Sequence, residues 1–205
     1  MTLTASECFM LTPAGVLHAF SCKIPDQTAS ALQALLTGER ALDLTAWTAA
    51  DSLAPTVLAR ALESGWVQRL RSSLQGPDAH LDDFLQHVIA SLSGERRAVL
   101  ASEGGFCLGR AGVGQDEADI LCAAAADYSD FAARQVRRGW DGCTRYVAFH
   151  RDPEFLLPSH AFLPFWVDGA GYWLILMGEP LLNNPALVEL LWGIKQAGTR
   201  FQALG

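Results

Sequence analysis

With 205 residues, half of them hydrophobic and 18% charged, the chain is large enough for one domain or two small ones and too apolar to be disordered. Its formal net charge of −7, from 15 basic and 22 acidic residues, argues against broad, non-specific binding to nucleic acid or anionic membranes.

A turn-type cluster, Gln75-Gly76-Pro77-Asp78, separates two segments of different character, and the expected domains are 1–76 and 80–205. Residues 1–76 are nearly neutral, so the acidity belongs to the second half. In the first half, Phe9 to Leu11, the turn cluster Thr12-Pro13-Ala14-Gly15 and Val16 to Phe20 predict a short hairpin. Asp26 would cap a helix carrying Ala29, Leu32, Leu35 and Leu36, stopped by Gly38. Asp43 would cap a second, Leu44 to Ala50, and Pro55 would open a third that ends at Gly65. Trp66 to Leu70 then alternates like a strand.

In the second half, Leu81, Phe84, Leu85, Val88, Ile89 and Leu92 form the apolar stripe of an amphipathic helix. Ala98 to Ser102 and Phe106 to Arg110, joined through Glu103-Gly104-Gly105, predict a hairpin. A long helix follows, Glu117 to Arg138, about 33 Å at ~1.5 Å per residue. Acidic residues at its start and arginines at its end match the helix dipole. One face of it reads Ala118, Leu121, Cys122, Ala125, Tyr128, Ala132 and Val136. Three more strands are expected, Arg145 to His150, Ala161 to Val167 and Tyr172 to Met177. Last comes a helix capped by Asn184, with Leu187, Leu190, Leu191, Ile194 and Phe201 inward and Glu189, Lys195 and Arg200 outward.

Five cysteines, Cys8, Cys22, Cys107, Cys122 and Cys143, form no Cys-x-x-Cys and fit reduced thiols in a cytoplasmic protein. The first basic residue is Lys23, so the apolar N-terminus lacks the charged start of a signal peptide. Proline, glycine and Asp168 interrupt the hydrophobic stretch Phe155 to Met177, so no membrane insertion is expected.

Three short helices followed by Leu62-Glu63-Ser64-Gly65-Trp66-Val67 resemble the end of a winged helix-turn-helix, over roughly Asp26 to Arg71. A DNA reader needs several basic or amide side chains facing base edges, and the would-be recognition helix offers Arg60 alone. Arg60, Arg69 and Arg71 are the residues that would touch phosphates. The favoured reading is a degenerate winged-helix-like domain used for packing or protein contact.

From His80 to Gly205 the order is helix, two hairpin strands, long helix, three strands, helix. That order, with Leu100-Ala101-Ser102-Glu103-Gly104-Gly105-Phe106 and the Ala-rich helix after it, resembles the roadblock family of dynein-light-chain-like proteins. Where the family has Asp-Gly, this chain has Glu103-Gly104. The resemblance implies an α+β, roadblock/profilin-like fold: a five-stranded antiparallel sheet with one helix on one face and two on the other. It also implies dimerisation and non-enzymatic work as a platform for small GTPases or scaffold complexes. The strand after the long helix would then lie at a sheet edge. Apolar through its middle, it would pair with its own copy. The expected interface is Leu121, Ala125, Tyr128, Ala132, Tyr146, Val147 and Phe149.

No residue set demands catalysis, a cofactor or a metal. His150, Asp152, Glu154 and His160 lack a compact ligand spacing. Cys143 with His150 lacks a third, orienting group, and the glycines Gly109, Gly112 and Gly114 lack the Lys and Ser/Thr of a phosphate-binding loop. Trp140, Trp166, Trp173 and Trp192 are expected as core or interface bulk. The leading expectation is a non-enzymatic adaptor or regulatory homodimer with a protein partner, a small GTPase among the candidates. The alternatives are a DNA-binding transcriptional regulator and a small hydrolase or redox enzyme.

Overall fold

The computed structural model describes residues 7–77, 81–140, 146–151, 154 and 157–202, and among these the side chains of all but 81–85 and 199–202. The expected placements of His80, Leu81, Phe84, Leu85, Cys143, Arg145, Asp152, Arg200 and Phe201 lie outside what is described.

Among the described residues the first element is β1 (Cys8–Leu11), which turns into α1 (Pro13–Ala19) and not into the second strand of a hairpin. Thr12 is a helix cap: its Oγ1 accepts from Gly15 N at 3.1 Å while its hydroxyl donates to Gly65 O. Pro13 sits in the first turn, where its missing N–H costs nothing. Thr-Pro-x-Gly reads equally as a turn or a capped helix start. Val16, Ala19 and Phe20, buried at helical spacing, decide it. Two further caps form as the sequence indicates. Asp26 accepts from Ala29 N at 2.7 Å to open α2 (Gln27–Gln33), which tightens into a 3-10 turn over Ala34–Leu36. Asp43 accepts from Ala46 N at 2.8 Å and joins β2 (Leu42–Asp43) to α3 (Leu44–Ala50). Next come α4 (Ala54–Glu63), Gly65 at φ +68° and β3 (Val67–Leu70). The three strands form a sheet of order β2-β1-β3, in which β3 pairs with β1.

The second half is α5 (Leu81–Ala90), β4 (Ala98–Ser102), β5 (Cys107–Ala111), α6 (Gln115–Arg137), β6 (Val147–Phe149), β7 (His160–Val167), β8 (Ala170–Met177) and α7 (Ala186–Gln202). The strands make one antiparallel sheet of order β5-β4-β8-β7-β6, with β6 at an edge. Asp168 and Gly169, both at positive φ, make the tight turn between β7 and β8. Alternation along the strands serves two layers. Val99, Ala101, Phe162, Trp173, Ile175 and Met177 face α6. Ala98, Leu100, Ala161, Phe165, Leu174 and Leu176 join the cluster with α5 and α7. The fold is therefore mixed α/β: a five-stranded antiparallel sheet with α6 on one face and α5 and α7 on the other.

That second cluster does not stop at the sheet. It continues through Val16, Phe20, Leu35 and Leu36 of the first half. Trp192 Nε1 and Gln196 Nε2 on α7 both donate to Gly38 O, at 2.8 and 2.9 Å. Trp166 N donates to Phe20 O at 3.0 Å, so the end of α1 caps the upper edge of β7. Lys195 is a correction to the expected outward set. It is buried and donates to Asp168 Oδ1 at 2.7 Å, because one turn beyond Leu191 it faces the β7–β8 turn.

The close approach of α1 to the start of β3 gives a test. A Cβ on Gly15 would lie 2.0 Å from Trp66 O, a backbone atom held by its bond from Thr12 N. Gly15→Ala should therefore cost about 1–3 kcal/mol in urea unfolding. An unchanged midpoint would mean that this backbone retreats freely.

Candidate interaction site

Helix α6 needs close inspection because its apolar residues exceed what the sheet can cover. Asp116 and Glu117 stand in its first turn and Arg134 and Arg137 in its last, as the dipole favours. Arg97 Nη2 grips both oxygens of Glu117, at 2.6 and 2.8 Å, and Arg97 Nε donates to Gly112 O, pinning the loop that enters the helix. Gly105, at φ +83° in the β4–β5 hairpin, allows the helix to sit on it, since a Cβ there would be 3.1 Å from both Cys122 O and Ala126 Cβ.

The sheet-facing residues are Ala118, Leu121, Cys122 and Ala125, all buried within the chain. Two members of the expected interface, Leu121 and Ala125, thus point inward and offer a partner almost no area. Tyr128 and Ala132 are half-buried. Val136, expected on the same face, is exposed and Gln135 is buried in its stead. On β6 and before it, Tyr146 and Phe149 are exposed and Val147 is half-buried.

The unburied apolar surface follows a different line of α6: Ile120, Ala124, Tyr128 and Phe131, spaced four, four and three residues apart on one flank. Ile120 is 71% exposed and Phe131 52%. Tyr128 ties this flank to the β6 edge. Its ring lies 6.2 Å from Phe149, 5.1 Å edge-on from Phe162 and 5.9 Å from Trp173. Beneath it, Trp173 Nε1 donates to Ser129 Oγ at 2.7 Å. Burial first, then Asp127, raises the Tyr128 phenol above its ordinary pKa, and burial raises Tyr146, so both rings stay neutral. The result is an apolar band, with Asp127 beside it, running from one flank of α6 across the outermost strand. Sequence reasoning missed Ile120 and Phe131. Their signal is two large apolar residues among the acids Asp119, Asp127 and Asp130, on the side that should be wholly polar.

The other candidate residues are dispersed. Arg60 lies over the Trp66 ring, 5.5 Å from its centroid, and His18 stacks on that ring at 3.8 Å. Arg69 pairs with Glu7 at 3.7 Å, and Arg71 lies in the same shallow depression. Among the described residues, no three His, Cys, Asp or Glu side chains come together as a metal site. His160 is paired in register with Phe149 and lies within 3.3 Å of Ser159 Oγ. Trp173 and Trp192 are core, Trp166 is half-buried and Trp140 is exposed. No described helix is long and apolar enough to cross a membrane.

Architecture and surface define a class: a sheet-and-helix module with an apolar band along one edge. No family model matches the chain, and no curated protein does. Among solved structures, the chain is similar to a Roadblock/LC7 domain from Streptomyces avermitilis, at 19% identity and a TM-score of 0.38, over 62% of this chain and 100% of that one.

The β6–β7 ladder carries its own pH dependence. Burial, then Arg151, lowers the His160 pKa below the ordinary imidazole value of 6.5, outweighing Glu117 and Glu95. As pH falls through ~6.5 the unfolded chain takes the proton before the folded one, so stability drops, and the loss is complete once the folded imidazole is protonated. His160→Gln should flatten the fall in melting temperature between pH 7 and pH 5. Parallel curves for parent and variant would refute this origin.

Proposed function

We propose that this protein is a non-enzymatic regulatory or adaptor protein. A winged-helix-like domain over 1–76 is joined to a roadblock-like module over 80–205, which forms a symmetric homodimer in the cytoplasm. What supports the module is the strand order β5-β4-β8-β7-β6 with one helix on one face and two on the other, as the roadblock resemblance implies.

The observation that carries dimerisation is the continuity of Ile120, Ala124, Tyr128 and Phe131 with the exposed Tyr146 and Phe149 of the edge. A two-fold axis beside β6 sets the same band of a second copy against it, antiparallel strand to strand and helix to helix. Ala124 lets the helices approach while Ile120 and Phe131 supply area. The paired sheets then offer a continuous platform to a protein partner, and a small GTPase is the partner class that the family resemblance implies. Reading of DNA is not favoured, since Arg60 is engaged by Trp66 and Arg69 by Glu7.

Light scattering on the full chain should give a dimer. Ile120→Asp with Phe131→Asp should give a monomer with unchanged far-UV circular dichroism, each substitution costing about 2 kcal/mol or more of association energy. Ala148→Pro should also weaken the dimer, by removing the N–H that β6 turns toward the free edge. A parent that is monomeric at all concentrations sinks the proposal. Duplex DNA added at low salt should leave the protein's elution unchanged. A salt-sensitive shift lost on Arg60→Ala would favour the DNA-reading alternative.

A further inference from the structure

The β4–β5 hairpin is irregular at one residue. Leu100 pairs with Gly109, but Ala101 pairs with Cys107, so Leu108 is the extra residue of a β-bulge. In an unbroken ladder Ala101 would oppose Leu108, and Cys107 would fall on the opposite face of the sheet. Paired residues share a face, and Ala101 lies in the cluster beneath α6. The bulge therefore turns Cys107 toward that helix, where it packs on the cluster holding Cys122. The β4–β5 turn at Gly105 sits against Cys122 O, the two thiols are near enough to influence each other, and Cys107 Sγ donates to Gly109 O at 3.8 Å. Cys122 is buried, whereas solvent reaches Cys107.

We infer that Cys107 and Cys122 are an oxidisable pair, which a peroxide closes to a disulfide tying edge strand β5 to α6. As thiolate, Cys107 attacks one oxygen of hydrogen peroxide. The O–O bond breaks, the sulfur becomes a sulfenic acid, and the departing hydroxide takes up a proton to become water. Cys122 sulfur then attacks the sulfenyl sulfur. The S–O bond breaks, the Cys122 proton goes to the departing hydroxide, and the S–S bond forms. Two thiols and one peroxide give one disulfide and two waters. Solvent and peroxide reach Cys107 and not buried Cys122, which assigns the first attack to Cys107 and the resolving step to Cys122, whose thiol burial, then Cys107, pushes up to about 12. Strand β5 is the sheet edge opposite β6, and Cys122 lies on the buried face of α6 and not on its exposed flank, so the inference does not rest on the proposed dimer.

The test treats the reduced full chain with hydrogen peroxide, alkylates the remaining thiols, and reads digests by mass spectrometry. The expected product joins the Cys107 and Cys122 peptides at about 2 Da below their sum and is separated by dithiothreitol. The melting temperature of the parent rises by several degrees on oxidation. That of Cys107→Ser and that of Cys122→Ala do not. Cys107 oxidised to sulfinic acid while Cys122 is still alkylated after unfolding would overturn the pairing. So would a cross-link to another cysteine, or a chain left fully reduced.

Discussion

Helix α7 is apolar on nearly all sides, and such a helix has to be covered on nearly all sides. Leu187, Leu190, Leu191 and Ile194 are buried in a cluster that reaches the sheet in one direction and the first half of the chain in the other. At roughly 1.5–3 kcal/mol for each large apolar side chain removed from water, this is the dominant attraction between the two halves. Direction comes from the polar contacts. Two donors on successive turns of α7, Trp192 and Gln196, converge on the single carbonyl of Gly38, and Trp166 on β7 reaches Phe20. Those bonds fix where the first half sits, and with it which stretch of β7 is covered.

The opposite face of the sheet has one helix to cover it, and α6 is asked to do two things. Small residues on its inner side, Ala118, Cys122 and Ala125, let it lie close on β4 and on the Gly105 turn. Close seating of a narrow inner face leaves the flank beside β6 uncovered, and that flank is where Ile120 and Phe131 stand. The apolar band is thus a by-product of close packing as much as a surface feature, which is why it follows the helix rather than the strand.

Most of the fold was legible because its signals are local. Asp26, Asp43 and Asn184 cap their helices through bonds within three residues, and Asp168-Gly169 makes a turn that few other residues would. What was not legible depends on contacts distant in sequence. Thr12-Pro13 starts a helix because Val16, Ala19 and Phe20 are buried in a cluster with residues of β7 and α7, far along the chain. Lys195 turned inward because a hairpin carboxylate waits for it. The sequence does not say which apolar residues of α6 the sheet covers: Leu121 and Ala125 are buried, and Ile120, one position away, is exposed. A helix that buries one face and presents its flank carries both sets in one apolar arc, and only the sheet's position divides them. The bulge at Leu108 was equally out of reach, since a one-residue shift in pairing leaves no mark on composition.

Pro164 sets a length. It lies two residues before Trp166, on the same outward side of β7, and has no N–H to give. Strand β6 pairs with β7 only from Phe162 to His160. Among the described residues the exposed rail is therefore three residues, about 10 Å long. So short a rail holds few main-chain bonds, too few to retain an arbitrary extended peptide. Whatever docks here must be chosen by the shape of its side chains, and the same brevity guards the sheet against indiscriminate stacking into fibres.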